Sequence, residues 1–154
     1  MPVRLLIDGD ACPVKPEAYK VALRHKVPVT VVSNSWFRVP DSQLIEIIVV
    51  SDGFDAADDW IAEQADSASI VVTADILLAE RALVAGAIVL SPKGKSFTEN
   101  SIGGAVATRA IMEDLRAGGT GENIGGPAPF SQKDRSRFLS ALDEAINKLK
   151  RQQK

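Results

Sequence analysis

The sequence contains one cysteine, Cys12, and one histidine, His25, in 154 residues. A single cysteine excludes a disulfide within the chain and is typical of a reducing compartment, so we predict a cytoplasmic location. The same scarcity argues against zinc and against Cys–His or Ser–His–Asp catalysis. We expect Cys12 to be a small buried thiol and His25 to pack in the core.

The chain also lacks any run of about 20 apolar residues, the length that a membrane-spanning helix needs. Its first residues show no basic segment followed by a long apolar stretch, so we expect no signal peptide. Gly94-Lys95-Ser96 is similar to the end of a Walker A loop, but the position of the leading glycine is held by Val89. No phosphate-binding loop is therefore predicted.

Acidic and basic residues are unevenly distributed along the chain. Residues 1–92 hold 7 Lys and Arg against 13 Asp and Glu, whereas residues 93–154 hold 11 against 7, within a net charge of −2. This separation is what a metal centre beside a phosphate-contacting surface requires, although a solvated basic helix at the C-terminus would also produce it.

Short β-branched runs alternate with amphipathic segments over the first 90 residues. The predicted strands are 3–7, 27–33, 44–50, 69–73 and 87–90, and the predicted helices are 13–25, 55–66 and 76–85. This alternation predicts an α/β fold, a three-layer sandwich with a mostly parallel central sheet flanked by helices. Strand 44–50 is almost continuously apolar, so we expect it to be buried on both faces.

The last third of the chain departs from this pattern. We predict a helix over 105–117, a glycine-rich segment over 118–130 and a final amphipathic helix over 133–150. Together they form a C-terminal helical extension (about 105–150) of a single domain spanning 1–154.

Aspartates follow three of the predicted strands directly. The first strand runs into Asp8 and Asp10, the third is followed by four acids, and the fourth is followed by Asp75. Because the ends of parallel strands meet at one edge of a sheet, these carboxylates would repel one another unless a cation lay between them. Carboxylate ligands suit Mg²⁺ or Mn²⁺, which we predict as the cofactor.

The four acids after the third strand are Asp52, Asp55, Asp58 and Asp59. Asp55 is explained as a helix N-cap and Asp59 as part of a solvated face. Asp58 borders the stripe that should pack on the sheet, so it is the preferred metal ligand of the four. Asp75 is open to two interpretations, an N-cap or a ligand, and Asp10 is either a turn residue or a second ligand.

Long segments of the sequence resemble the YaiI/YqxD family of uncharacterised bacterial proteins. They are LLIDGDACPVK, VVSDGFDAADDWIAEQA, VVTADILLAERALVAGA, LSPKGKSFTENSIG and GGPAPFSQKDRSRFLSALD. The resemblance covers nearly the whole chain, and its pattern is similar to PIN-like nuclease domains. Those nucleases place an aspartate after the first strand, an acid on a central helix and an aspartate after the fourth strand. The resemblance implies these catalytic roles for Asp8, Asp58 and Asp75, with Asp10 as an additional ligand.

Our leading hypothesis is a metal-dependent phosphodiesterase that acts on RNA. Flanking phosphates would be held by Thr73, Lys93, Lys95 and Arg109, with Lys133, Arg135 and Arg137 as weaker candidates.

Two alternatives remain open. The first is a non-catalytic RNA-binding or regulatory module on a nuclease-like fold. The second is a phospho-accepting switch similar to receiver domains, since Asp8 and Asp10, Asp52, Thr73 and Lys93 occur in the order that such domains require.

Overall fold

The computed structural model describes residues 2–51, 56–98 and 130–152. Its centre is a five-stranded sheet in which all paired strands are parallel, in the order β3-β2-β1-β4-β5. The strands are β1 (Arg4–Asp8), β2 (Val29–Ser33), β3 (Ile45–Val49), β4 (Ser69–Val72) and β5 (Ile88–Leu90). Their Val- and Ile-rich sequences favour extended backbone, and the α/β prediction is confirmed.

The helices have identifiable start and stop signals. They are α1 (Lys15–His25), α2 (Ala56–Gln64), α3 (Ile76–Val84) and α4 (Gln132–Gln152). Lys26 ends α1 in the left-handed conformation, with φ of 58°. At the start of α4, the backbone N–H of Asp134 donates to Ser131 Oγ at 3.1 Å, and the N–H of Ser131 donates back to the Asp134 carboxylate at 3.0 Å.

Helices cover both faces of the sheet. Leu5 and Ile7 of β1 point into one core, which α1 and α4 close, whereas Leu6 points into a second core closed by α2 and α3. Successive strand residues face opposite sides, so one strand feeds both cores. The result is the predicted three-layer arrangement.

The prediction that strand 44–50 is buried on both faces is wrong. Among the described residues, β3 pairs with β2 alone and forms an edge of the sheet, where Glu46 is exposed and Val49 is 45% exposed. An apolar run identifies a strand but not its place in the sheet, because neighbours distant in sequence decide which faces are covered.

The order in which the chain adds strands to the sheet reverses between β1 and β4. After β1 the chain moves outward through β2 and β3, then returns to pair β4 with the other side of β1. Such a reversal of strand order opens a crevice at the carboxyl ends of the two strands. The candidate site lies at this edge.

The predicted helix over 105–117, including Arg109, and nearly all of the glycine-rich segment lie outside the described residues. None of the helices in the described ranges is both long and apolar enough to cross a bilayer.

Candidate functional site

Asp8 is the last residue of β1 and is only 8% exposed. Its Oδ2 accepts a hydrogen bond of 3.0 Å from the hydroxyl of Thr73, which follows β4. Burial raises the pKa of Asp8, and the negative charges of Asp10 and Asp75 raise it further, while the Thr73 hydrogen bond opposes them. The fold therefore places a carboxylate where burial disfavours its charged form.

Thr73 links Asp8 to the start of α3. Its hydroxyl donates to Asp8 and accepts from the backbone N–H of Asp75 at 2.9 Å. Asp75 is the N-cap of α3, since its Oδ1 accepts from the backbone N–H groups of Leu77 at 2.9 Å and Leu78 at 3.3 Å. Oδ2 of Asp75 has no hydrogen-bond partner within the described part of the chain. The hydroxyl of Thr73 thus bonds one carboxylate and the backbone next to the other, and the substrate contact expected for Thr73 stays a prediction.

Asp10 lies in a short 3-10 turn that follows β1 (Gly9–Ala11) and is exposed. Its carboxylate accepts hydrogen bonds from the hydroxyl of Ser33 and from the backbone N–H of Asn34, at 3.0 Å to Oδ2. Ser33 is the last residue of β2 and Asn34 follows it. Asp10 thus fastens the turn to the neighbouring strand, which is the turn role considered for it, while its charge still acts on Asp8.

Asp58 lies in the first turn of α2 and is half-buried, beside Ala57, which packs in the second core. Asp59 is exposed and forms a salt bridge of 2.8 Å with Arg81, in keeping with a solvated role. Asp52 and Asp55 lie outside the described residues. The N-cap role predicted for Asp55 and the receiver-like role considered for Asp52 therefore stay predictions.

No group of three or more His, Cys, Asp or Glu side chains within residues 2–51, 56–98 and 130–152 is arranged to hold a metal ion. Asp8, Asp58 and Asp75 therefore do not form a closed three-carboxylate cage. What the structure does bring together are the interacting charges of Asp8, Asp10 and Asp75. All of these donors are oxygen atoms, which fit a hard divalent cation better than zinc.

The predicted phosphate-binding lysines lie in the loop after β5. Lys93 and Lys95 are exposed, and Gly94 between them has φ of 85°. A Cβ at Gly94 would lie 2.6 Å from the carbonyl carbon of Arg137, so only glycine lets this loop pack on α4. The loop is fixed while its two ammonium groups remain in solvent.

Two arginines of α4 contact other residues of the chain. Arg135 donates to the carbonyl of Pro13 and to Glu17, both at 3.0 Å, and its guanidinium lies 4.9 Å from the ring of Phe130. Arg137 lies 3.9 Å from Asp134. Nη1 of Arg135 therefore fixes α4 to the start of α1, and the phosphate contact suggested for Arg135 stays a prediction.

His25 does not pack in the core as expected. Its Nε2 lies 2.6 Å from Asp143 of α4, and the same carboxylate accepts from Arg24 at 2.9 Å. The polar pair fastens the end of α1 to α4, away from the carboxylate edge. Cys12 is the predicted buried thiol, at 4% exposed, and burial raises its pKa to about 11, so the thiolate is suppressed.

Sequence reasoning missed two side chains beside the site. Lys15, in the first turn of α1, donates to the carbonyl of Cys12 at 2.8 Å and lies 5.1 Å from the ring of Phe37. Trp36 follows β2 and is 70% exposed. A signal for Trp36 is present in the Trp-Phe-Arg sequence at 36–38, an aromatic and basic segment.

Comparison with known proteins gives a family but no activity. Residues 6–148 match the family described as "Uncharacterized BCR, YaiI/YqxD family". A "UPF0178 protein" of Sphingopyxis alaskensis is 69% identical over 96% of this chain and 95% of its own length. Proteins of the same description from Jannaschia and Nitrobacter winogradskyi are 58% and 57% identical, covering 95% and 97% of this chain and 94% of their own lengths.

No solved structure is a significant match. The family model spans most of the chain, and the relatives align along nearly their whole lengths. The chain belongs to the YaiI/YqxD family.

Proposed function

We propose that this protein is a Mg²⁺- or Mn²⁺-dependent phosphodiesterase that acts on RNA. The observation that carries the proposal is the hydroxyl of Thr73, which bonds the carboxylate of Asp8 and the backbone N–H of Asp75 at the point where strand order reverses. Carboxylates held together at this edge of an open α/β sheet are suited to bind a cation and, through it, a phosphate.

The donor set fits such an ion without a closed cage. Mg²⁺ keeps several waters and is commonly bound by one or two carboxylates together with substrate phosphates. Asp8 and Oδ2 of Asp75 would contact the ion directly, and Asp10 and Asp58 would act through water. The ion would lower the pKa of a bound water and neutralise charge on the scissile phosphate.

The chain's own residues supply positioning and charge. Thr73 bonds the carboxylate of Asp8 and the backbone at the start of α3, which would help to hold both groups at the crevice. Lys93 and Lys95 are exposed in the loop after β5, at the same edge of the sheet, where ammonium groups would hold flanking phosphates. Arg109 is also proposed to hold a flanking phosphate.

The resemblance to PIN-like nucleases supports the same assignment. Asp8 ends β1, Asp58 lies in the helix after β3 and Asp75 follows β4, which is the order of acids in that class. A single PIN-like domain and the cytoplasmic location predicted from the lone cysteine remain parts of this proposal.

Metal binding and cleavage test the proposal together. Titration calorimetry with MnCl₂ should show binding to the wild type and binding at least about 10-fold weaker to Asp8→Asn. Asp41→Asn is the control, since Asp41 is an exposed carboxylate before β3, at the opposite edge of the sheet. A 5′-labelled RNA of 20 nucleotides should be cut by the wild type with Mn²⁺ and left intact with EDTA or by Asp8→Asn.

A second function, non-catalytic RNA binding, is favoured by one observation. The absence of a three-acid metal group among the described residues is what a scaffold without catalysis would show. RNA binding that is equal in wild type and Asp8→Asn, with no Mn²⁺ bound and no cleavage, would select this function over the phosphodiesterase.

A further inference from the structure

The segment after β2 alternates between solvent and core. Phe37 and Val39 are partly buried and pack against the core that α1 and α4 close. Trp36 and Arg38 alternate with them and are exposed, with Trp36 at 70%. The alternation directs an indole and a guanidinium away from the core on the same segment.

Three contacts fasten this segment to the carboxylate turn (Gly9–Ala11) and to α1, which follows that turn. The backbone N–H of Asn34 donates to Asp10, and the ammonium of Lys15 lies 5.1 Å from the ring of Phe37. A Cβ added to Gly9 would lie 3.3 Å from Cζ of Phe37, so the ring lies directly over the glycine that separates Asp8 from Asp10. The neighbours of Trp36 therefore pack its segment against the turn that follows Asp8.

Exposure alone would not call for an explanation, because single apolar side chains on a surface are common. Trp36 differs from the other exposed apolar residues because it is aromatic and because an exposed arginine lies two residues away. It is the only aromatic among the described apolar side chains that are large and exposed, and the described part of the chain offers Arg38 no acidic partner within ion-pair distance. A flat π-face beside an unneutralised guanidinium matches a base and its phosphate.

We propose that Trp36 stacks on an unpaired base of the nucleic acid, and that Arg38 contacts the adjacent phosphate. The inference rests on the proposed function for the nature of the occupant, and it adds a base-binding position and a selectivity. A base within a duplex is already stacked on both faces, whereas an unpaired base has a free face for the indole. The site thus takes single strands in preference to duplexes.

Binding measured without cleavage tests the proposal. In the double variant Trp60→Phe, Asp8→Asn, Trp36 is the only tryptophan, because the sequence contains two. Addition of a 12-nucleotide adenine-rich RNA should quench its fluorescence, and the same strand paired with its complement should bind more weakly. Thermal unfolding of the double variant, compared with the wild type, checks that it is folded.

Substitutions at position 36 separate stacking from simple apolar contact. In the Asp8→Asn background, Trp36→Ala should bind the labelled single strand roughly 5- to 150-fold more weakly. Trp36→Phe should retain most of the affinity, whereas Trp36→Leu should resemble Trp36→Ala because it lacks a π-face. Val84→Ala is the matched control, since Val84 is 82% exposed at the far end of α3.

Equal affinity for the single strand in Trp36→Ala and its parent would overturn the inference. A change of sedimentation coefficient in Trp36→Ala without a change in RNA binding would also overturn it, by assigning the indole to contact between protein chains. The two proposals fail separately. RNA bound through Trp36 but never cut by the wild type would defeat the phosphodiesterase alone, and cutting with kcat/KM unchanged in Trp36→Ala would defeat the stacking position alone.

Discussion

The hydroxyl of Thr73 donates a 3.0 Å hydrogen bond to Asp8, across the boundary between β4 and β1. Ile7 and Val72 are paired in the sheet, so this bond joins the next positions along the two neighbouring strands. The same hydroxyl accepts from the backbone of Asp75. One side chain therefore connects the two strand ends that the proposed function depends on.

Thr73→Val should weaken both the fold and metal binding. The substitution keeps the shape of the side chain but leaves Asp8 and a backbone N–H without their partner, which costs about 1–3 kcal/mol of unfolding free energy. Loss of a hydrogen bond that lowers the pKa of Asp8 should also move Mn²⁺ binding to higher pH. Calorimetry across pH measures the shift.

Thr73→Ser is the control for this prediction, because it retains the hydroxyl. A binding profile for Thr73→Val that coincides with those of Thr73→Ser and the wild type would show that the bond does not position Asp8.

Asp8→Asn should stabilise the metal-free protein at neutral pH. Because burial raises the pKa of Asp8 in the folded state, the folded chain binds the proton more tightly than the unfolded chain. The contribution of Asp8 to stability is thus complete below the unfolded value of 3.8 and is lost as the pH rises through the folded pKa. Asparagine cannot ionise, so the variant does not lose this free energy of unfolding at neutral pH.

Thermal unfolding in EDTA measures the effect of Asp8→Asn, with each 1 kcal/mol corresponding to roughly 2–4 °C at this chain length. MnCl₂ should raise the melting temperature of the wild type and leave that of Asp8→Asn unchanged. A variant that melts below the wild type in EDTA at pH 7 would be evidence that the carboxylate stabilises the fold.

Gly9→Ala should disturb the carboxylate turn. The added methyl group would lie 2.7 Å from Cγ1 of Val31, a fully buried side chain, and 3.1 Å from the carbonyl oxygen of Val32. Overpacking of this kind costs about 1–3 kcal/mol, and relief by movement of the turn would displace Asp8 and weaken Mn²⁺ binding.

Gly86→Ala serves as the comparison for Gly9→Ala. Gly86 has φ of 94° and open surroundings, with the nearest atom at 3.6 Å, so alanine there lowers stability through backbone strain alone. Urea unfolding and calorimetry should show both variants destabilised but only Gly9→Ala impaired in binding. Normal Mn²⁺ affinity in Gly9→Ala would contradict the link between turn geometry and metal.

Asp143→Asn should reduce stability at neutral pH but not in acid. The hydrogen bond with His25, followed by that with Arg24, lowers the pKa of Asp143 in the folded state. Its contribution is therefore present above the unfolded value of 3.8 and disappears as the pH falls through the folded pKa. The side chains of Asp143 and Arg24 are 37% and 64% exposed, so solvent screening should keep the gap at pH 7 below about 1 kcal/mol.

Chemical denaturation of wild type and Asp143→Asn between pH 2 and 7 checks this convergence, with Glu144→Gln as an exposed control on the same helix. A constant gap across the range would assign the effect to the shape of the side chain and not to its charge.

Periodicity and turn chemistry predicted the layers of the fold and most element boundaries. Periodicity and turn chemistry did not predict the edge position of β3, because its apolar run resembles that of a central strand. The neighbours of a strand depend on pairing with residues distant in sequence. The C-terminal helix was predicted from its apolar stripe, but its attachment through Arg135 to Pro13 and Glu17 depends on contacts more than 100 residues apart in sequence.

The candidate site stays a prediction, and sequence reasoning indicated its sheet edge but not the contacts of each acid. Strand ends indicated that Asp8 and Asp75 would meet, since topology fixes where parallel strands finish. The bonds from the end of β2 to Asp10, and the solvent exposure of Trp36, depend on how one loop folds over Gly9. Sequence spacing carries no information about the conformation of that loop. The hydrogen-bond partners of each aspartate could therefore be identified only from the structure.

Diffraction from crystals soaked in MnCl₂ tests the central claim most directly. An anomalous difference peak about 2.1 Å from a carboxylate oxygen of Asp8, and close to Asp75, is the predicted result. A fully occupied Mn²⁺ at another position, or no peak at this edge in crystals that diffract well, would contradict the proposed metal-dependent function.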